Sequence, residues 1–214
     1  MSALKNCKIE FSLQSDFQMM NVIYLLFSYL IGAISFGIVI SHIFSLPDPR
    51  TIGSKNPGAT NVLRTGKKLA ALLTLLGDAL KGSLTVGLAQ YFELSPLMVG
   101  LIAIATLVGH VFPIYYGFKG GRGVATAAGI LFMFSWIMGL IVLAIWLGVF
   151  FIWRYSSLAA IIAASLSPVI GFFYKIDFYE LIATSIIALI LILRHVENIK
   201  RLIDGTESGF KDKK

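Results

Sequence analysis

Four polar segments interrupt an otherwise apolar chain of 214 residues, and each carries residue types suited to holding an anion. The first is Gly53-Ser54-Lys55-Asn56-Pro57-Gly58-Ala59-Thr60-Asn61, followed by Val62-Leu63-Arg64. Its glycines and proline force turns, and successive backbone N–H groups in turns form anion-binding nests. Ser54, Asn56, Thr60 and Asn61 add small donors, and Arg64 adds a planar fork suited to phosphate. The second is Gly109-His110-Val111-Phe112-Pro113 leading to Phe118-Lys119-Gly120-Gly121-Arg122-Gly123-Val124-Ala125-Thr126. Here Gly120, Gly121 and Gly123 let anion oxygens approach the backbone. Lys119 and Arg122 add charge, and the start of an apolar helix adds unpaired N–H groups. Read alone, the segment is also an ordinary basic turn. The third, Arg154-Tyr155-Ser156-Ser157, places hydroxyls at a helix start, where they serve as caps or as ligands. The fourth is Arg194-His195-Val196-Glu197-Asn198, with His195 and Asn198 three apart on one helix face. A histidine there acts as a base or as a donor to phosphate.

Two further features lie in apolar runs. Asp78 and Lys81 are three apart, and a mutual ion pair lowers the cost of placing both in a span. His110 stands near the end of its run, close to the glycine-rich segment, as support for the site or as a participant. No His, Cys, Asp and Glu cluster has metal-ligand spacing. No Walker loop or G-x-S-x-G elbow is present. The H-x-x-x-x-D pair of acyl-CoA-dependent membrane acyltransferases is absent too. Cys7 is the only cysteine, so no internal disulfide forms.

The elements that must position these residues are membrane helices. The chain is 57% apolar and 14% charged with mean hydropathy +0.83, against about 25% charged in soluble domains. That excludes a soluble enzyme and a disordered chain. Apolar runs cover residues 22–46, 69–92, 97–116, 124–153, 157–174 and 178–193. The net charge of +7 fits the positive-inside bias and attraction to anionic lipid rather than nucleic acid. Residues 47–68 carry five cations and the segment from residue 194 carries six, so both are expected on the cytoplasmic side. That agreement requires the 30-residue run at 124–153 to be two helices, with Phe134-Ser135-Trp136-Ile137-Met138-Gly139 as the break. The expectation is an all-α, polytopic integral membrane protein of about seven helices, some short or discontinuous around a cytoplasmic-face site. The N-terminus is outside and the C-terminus is cytoplasmic. One membrane domain spans 22–205, with an N-terminal extension at 1–21 and a charged tail at 206–214.

Residues 53–61, 109–113, 118–126 and 194–199, within a colinear match from about residue 25 to residue 205, resemble the motifs of the bacterial acyl-phosphate-dependent glycerol-3-phosphate acyltransferases, the PlsY family. The resemblance implies a seven-helix enzyme of the inner membrane. It would move a fatty acyl group from acyl-phosphate to the 1-position of glycerol 3-phosphate, giving lysophosphatidic acid and phosphate. It implies no cofactor, a monomer in membrane lipid, and acyl-phosphate supplied by an acyl-ACP:phosphate acyltransferase. Carried over by position, substrate-binding residues fall on Ser54, Thr60, Arg64, Arg122, Ser157, His195 and Asn198. The wider phosphate-binding set adds Asn56, Gly58, Asn61, Lys119, Gly120, Gly121 and Gly123. His195, Ser54 and Arg122 are the catalytic candidates; Asp78, Lys81 and His110 support them. Arg122 stands where the family more often has lysine, and Gly32-Ala33-Ile34-Ser35-Phe36-Gly37 departs from the usual Gly-Ser-Ile-Pro-Phe-Gly. Glycerol 3-phosphate is assigned to Arg64, His195 and Asn198, and acyl-phosphate to Ser54 and the glycine-rich turn. The competing class is a transporter or binding protein for organophosphate anions, because glycine-rich half-helix ends suit that role as well.

Overall fold

The structure is a computed structural model that describes residues 19–209. Cys7, most of the N-terminal extension and the last five residues of the tail lie outside the described residues. Helices and turns alone make up the described chain. In order they are α1 (Met19–Gly32), α2 (Phe36–Ile43), α3 (Ala59–Leu63), α4 (Lys68–Tyr91), α5 (Pro96–Val111), α6 (Val124–Phe134), α7 (Trp136–Trp153), α8 (Ser156–Phe173), α9 (Phe178–Arg194) and α10 (Val196–Ile203). The helices α4, α7 and α8, and α5 extended to Tyr116, are each long and apolar enough to cross a bilayer. Two bent pairs, α1 with α2 and α9 with α10, and the shorter apolar helix α6 complete the set.

The long apolar run at 124–153 divides at Ser135, inside the expected stretch. Ser135 leaves the helical region (φ −159°, ψ 120°) and its hydroxyl caps α7 by accepting the Met138 N–H at 3.4 Å. The division is unequal, with 11 residues in α6 and 18 in α7. At 1.5 Å per residue α6 spans about half the hydrocarbon core. The first run differs from its expected form as a single span. It bends by 44° between α1 and α2. The Lys81 ammonium, from α4, donates to the Ile34 carbonyl at that break, at 2.6 Å. A backbone acceptor freed inside a membrane protein needs such a partner. Pro168 inside α8 has the same kind of remedy. Proline cannot supply the N–H that Ala164 would accept, and the Ser167 hydroxyl donates to the Ala164 carbonyl instead, at 2.9 Å.

Small residues bring the helices together. A Cβ on Gly82 or Gly129 would strike the backbone of Thr126 or Ala79, so α4 and α6 pack backbone to backbone. Gly32 and Gly109 do the same for α1 and α5. The main core runs through Val86, Ile102, Leu107, Ile130 and Ile187. By contrast only 17% of α7 is buried within the protein. It forms a largely lipid-facing wall.

Candidate functional site

A cavity of about 850 Å³ takes lining from all four polar segments. Its polar end is bordered by Ser54, Arg64, Arg122, Ser157, His195 and Asn198, and its apolar arm runs between α6, α7 and α8 past Leu131, Val142, Trp146, Ala160 and Ala163. The seven residues carried over from the family resemblance thus fall around one space, with Thr60 the seventh. Asn56, Gly58, Gly123, Asp78 and His110 also border it.

The first polar segment is half loop and half helix, because α3 starts at Ala59. Asn61 belongs to its interior rather than to the cavity lining. The amide is fully buried; its Oδ1 accepts the Ser54 N–H at 3.0 Å, and its Nδ2 donates to the carbonyls of Pro49 (2.7 Å) and Ile52 (3.1 Å). Nearby, Arg50 is held by Asp48 at 2.6 Å. Arg64 is exposed and turns to the segment after α10, donating to the Ser208 hydroxyl at 2.8 Å and the Ser208 carbonyl at 3.2 Å.

The second segment is held from beneath. The Gly121 N–H donates to the His110 carbonyl at 3.1 Å, and a Cβ on Gly121 would overlap the His110 imidazole. Gly123, at φ +88°, occupies the left-handed region immediately before α6, where a side chain would be strained. Arg194 reaches the Gly120 carbonyl at 3.5 Å and lies over the Phe112 ring. Gly120 and Gly121 are buried under the turn, Lys119 is exposed, and none of the three lines the cavity. Arg122 does. Among the described residues its guanidinium makes no hydrogen bond or close ion pair. Burial draws it down to about 10, with Glu207 opposing and Arg201, Arg194 and Arg64 adding to the fall. It stays charged near neutral pH. An unpaired guanidinium beside a helix N-terminus is a ready anion site.

Below this turn, Lys81 pairs with Asp78 at 2.9 Å, and the His110 Nδ1 lies 3.6 Å from the same carboxylate. All three are nearly fully buried. The chain of contacts therefore runs from the α1–α2 break through Lys81, Asp78 and His110 to Gly121.

On the far wall, His195 lies one residue beyond the α9 span. Its Nδ1 is 2.7 Å from the Leu191 carbonyl. A carbonyl only accepts, so Nδ1 carries the proton and Nε2 is the bare nitrogen of the neutral ring. Burial pushes the group down to about 4; the Leu191 carbonyl resists, and Arg122 and Arg194 lower it further. Ser157 and Asn198 meet a residue the motifs did not reveal. Glu207 Oε1 accepts from the Ser157 hydroxyl and from Asn198 Nδ2, both at 2.6 Å, and Oε2 accepts from Arg201 Nε at 2.8 Å. Burial raises the Glu207 carboxyl, but those three hydrogen bonds outweigh it and hold the group below the usual glutamate value. Arg201 had a signal in the sequence. It continues the three-residue spacing of His195 and Asn198, the same face of α10. Glu207 had none beyond following Gly205.

Residues 22–205 match the family described as glycerol-3-phosphate acyltransferase. A glycerol-3-phosphate acyltransferase of Methylobacillus flagellatus is 52% identical over 195 residues, covering 91% of this chain and 100% of that protein. One of Nitrosospira multiformis is 53% identical over 185 residues, covering 85% and 92%. A crystal structure of PlsY, an integral membrane glycerol 3-phosphate acyltransferase, in its glycerol 3-phosphate form, superposes with TM-score 0.86 at 37% identity over 90% of this chain and 96% of that one. Its lysophosphatidic acid form gives 0.84 at 36%. With the motifs sharing one cavity and the matched region running through every span, this chain belongs to the glycerol-3-phosphate acyltransferase family.

Proposed function

We propose that this protein transfers a fatty acyl group from acyl-phosphate to the 1-hydroxyl of glycerol 3-phosphate, at the cytoplasmic face of a bacterial inner membrane. The observation that carries this reading is the junction of an unpaired, half-buried Arg122 with an apolar arm in one cavity. An acyl-phosphate has the same two parts, a phosphate and a lipid chain. The hydroxyl oxygen forms a bond to the acyl carbon, the bond from that carbon to the phosphate oxygen breaks, and phosphate leaves. The mixed anhydride is already activated, so positioning and charge stabilisation supply most of the rate. The hydroxyl proton passes to an oxygen of the departing phosphate. His195, held neutral with a pKa near 4, is a weak base and serves better as an acceptor that orients the hydroxyl. Ser54 and Arg122 stabilise the charge that develops on the donor phosphate. The cytoplasmic placement, with the N-terminus outside, follows from the 14 of 18 Lys and Arg that this topology puts on one side. The protein works as a monomer, and its donor comes from an enzyme that makes acyl-phosphate from acyl-ACP.

Purified protein incubated with acyl-phosphate and glycerol 3-phosphate is expected to produce lysophosphatidic acid, and none with acyl-CoA. Equal turnover of both donors would refute the assignment of donor. Movement of glycerol 3-phosphate across a vesicle without acylation would favour the transporter.

A further inference from the structure

Two lysines at the rim of the cavity have no part in the reaction above. Lys55 and Lys68 border the same space as Arg64 and Arg122, one from the turn at 53–61 and one from the start of α4. Both are exposed, and among the described residues neither forms an ion pair. Lys68 does not serve its own helix. It opens α4 behind Lys67, with no acid in the first turn, and the positive end of a helix repels cations. A lysine needed only for topology would serve as well elsewhere in the loop. Its face is more informative. Lys68, Leu72, Leu75 and Asp78 follow at helical spacing and all border the cavity, whereas Lys67 does not. The two lysines also stand above the reacting groups. Ser83 and Gln90 of α4 donate to the Gly129 and Met133 carbonyls of α6, so the two helices run the same way and α6 begins well down the length of α4. Arg122, just before α6, therefore lies on the order of 10 Å deeper than the start of α4. A solute entering from water meets Lys55 and Lys68 first.

The charge on the cavity wall fits an entry role. Five cations border it, Lys55, Arg64, Lys68, Arg122 and Arg201, with two acids, Asp78 and Glu207. Asp78 is answered by Lys81 from behind, which leaves an excess of four positive charges. Transfer from acyl-phosphate to glycerol 3-phosphate brings two phosphate groups together, each carrying close to two negative charges near neutral pH. Without Lys55 and Lys68 the wall would balance only one of them. We infer that Lys55 and Lys68 are capture residues for the water-borne phosphate substrate, drawing it to the rim and handing it to the arginines below without touching the reacting atoms. This rests on the acyl-transfer reading above. The donor carries the same phosphate chemistry, but its chain belongs to the apolar arm, so its binding does not depend on the rim. A cleft with low-dielectric walls focuses such charge and raises the local concentration of anions, and salt screens the effect.

The test assays full-length protein in neutral detergent with acyl-phosphate and glycerol 3-phosphate, at low and at high ionic strength. Lys55→Gln and Lys68→Gln are each expected to lower kcat/KM for glycerol 3-phosphate about threefold at low salt, and the double variant about tenfold. The loss falls on KM, with kcat unchanged, and it closes at high salt. KM for acyl-phosphate stays at the wild-type value. Lys68→Arg, which keeps the charge, behaves as the wild type, and Lys67→Gln, one residue off the cavity face, has a clearly smaller effect than Lys68→Gln. A loss that persists at high salt, or that falls on kcat, overturns the inference, since the lysines would then be structural or direct ligands. So does an equal effect of Lys67→Gln, which would leave only a general positive field. A change confined to the KM of acyl-phosphate would give the rim to the donor and overturn it as well. Absence of any transfer by the wild type would instead overturn the acyl-transfer reading, and this inference with it.

Discussion

The two glycine-containing turns at the polar end of the cavity do similar work and are built in opposite ways. The turn at 53–61 is braced from within. One buried side chain, Asn61, binds three backbone groups of the loop leading into it, at Pro49, Ile52 and Ser54. The turn at 119–123 is braced from outside, by the His110 carbonyl and ring beneath Gly121 and by Arg194 at Gly120. His110 in turn faces Asp78, which pairs with Lys81. Damage to the first turn should stay local, and damage to the second should spread into the helix bundle.

The largest effect should come from Lys81→Met, which leaves Asp78 buried without its ammonium and the Ile34 carbonyl without its donor. Removing one partner of a buried pair costs about 3–5 kcal/mol. Thermal unfolding in detergent should show that loss, and an unchanged midpoint would mean the second turn is not tied to the bundle. Next is Gly121→Ala. The added methyl meets the His110 ring, and displacement of the turn should cut kcat/KM by about a hundredfold with helix content intact. Activity near wild type would show that the ring yields freely.

Arg122→Ala separates charge from scaffold within the second turn. Losing one charge-assisted contact costs roughly 1.5–3 kcal/mol, about ten- to a hundredfold in rate, and Arg122→Lys should retain clearly more. Equal loss in both, with folding intact, would make the fork geometry decisive. Asn61→Ala should cost about 1 kcal/mol of stability and raise KM, leaving the Arg122 turn unaffected. Global unfolding would break the contrast between the turns.

A last effect, seen only as pH falls, concerns the wall both turns face. His195 titrates near 4 in the folded protein, against about 6.5 in an unfolded chain. Between those values the unfolded state binds more protons. Its stabilising contribution is thus complete above pH 6.5 and is lost as pH falls toward 4. His195→Gln should flatten that part of the thermal midpoint against pH; an identical slope in both proteins would refute it.

Much of this was legible in the residues. The break at Ser135 follows from charge parity and from a run too long for one span. The gathering of Ser54, Arg122, Ser157 and His195 follows from motifs on one predicted face. The α1–α2 bend was not legible, because a 25-residue apolar run (residues 22–46) is a good span and the group that stabilises the bend, Lys81, lies 47 residues away from Ile34. The bracing role of Asn61 was not legible either, because an amide that braces a loop and one that binds phosphate look alike in sequence. Glu207 was hidden by its charge. A carboxylate in a phosphate-handling site makes sense only once Ser157, Asn198 and Arg201 are seen around it.

The pairing of Asp78 with Lys81 also bears on how the chain enters the bilayer during synthesis. The span α4 has mean hydropathy 1.4, against 2.4 for α7, and each charge near a span's centre opposes insertion by about 2.5–3.5 kcal/mol. Because the two residues are three apart on one helix, they can neutralise each other as soon as that helix winds, before any later span is available. The helix can therefore leave the insertion machinery as a nearly neutral segment. It then brings with it the donor that the already inserted α1–α2 break requires at Ile34, so the order of emergence along the chain is also an order of assembly.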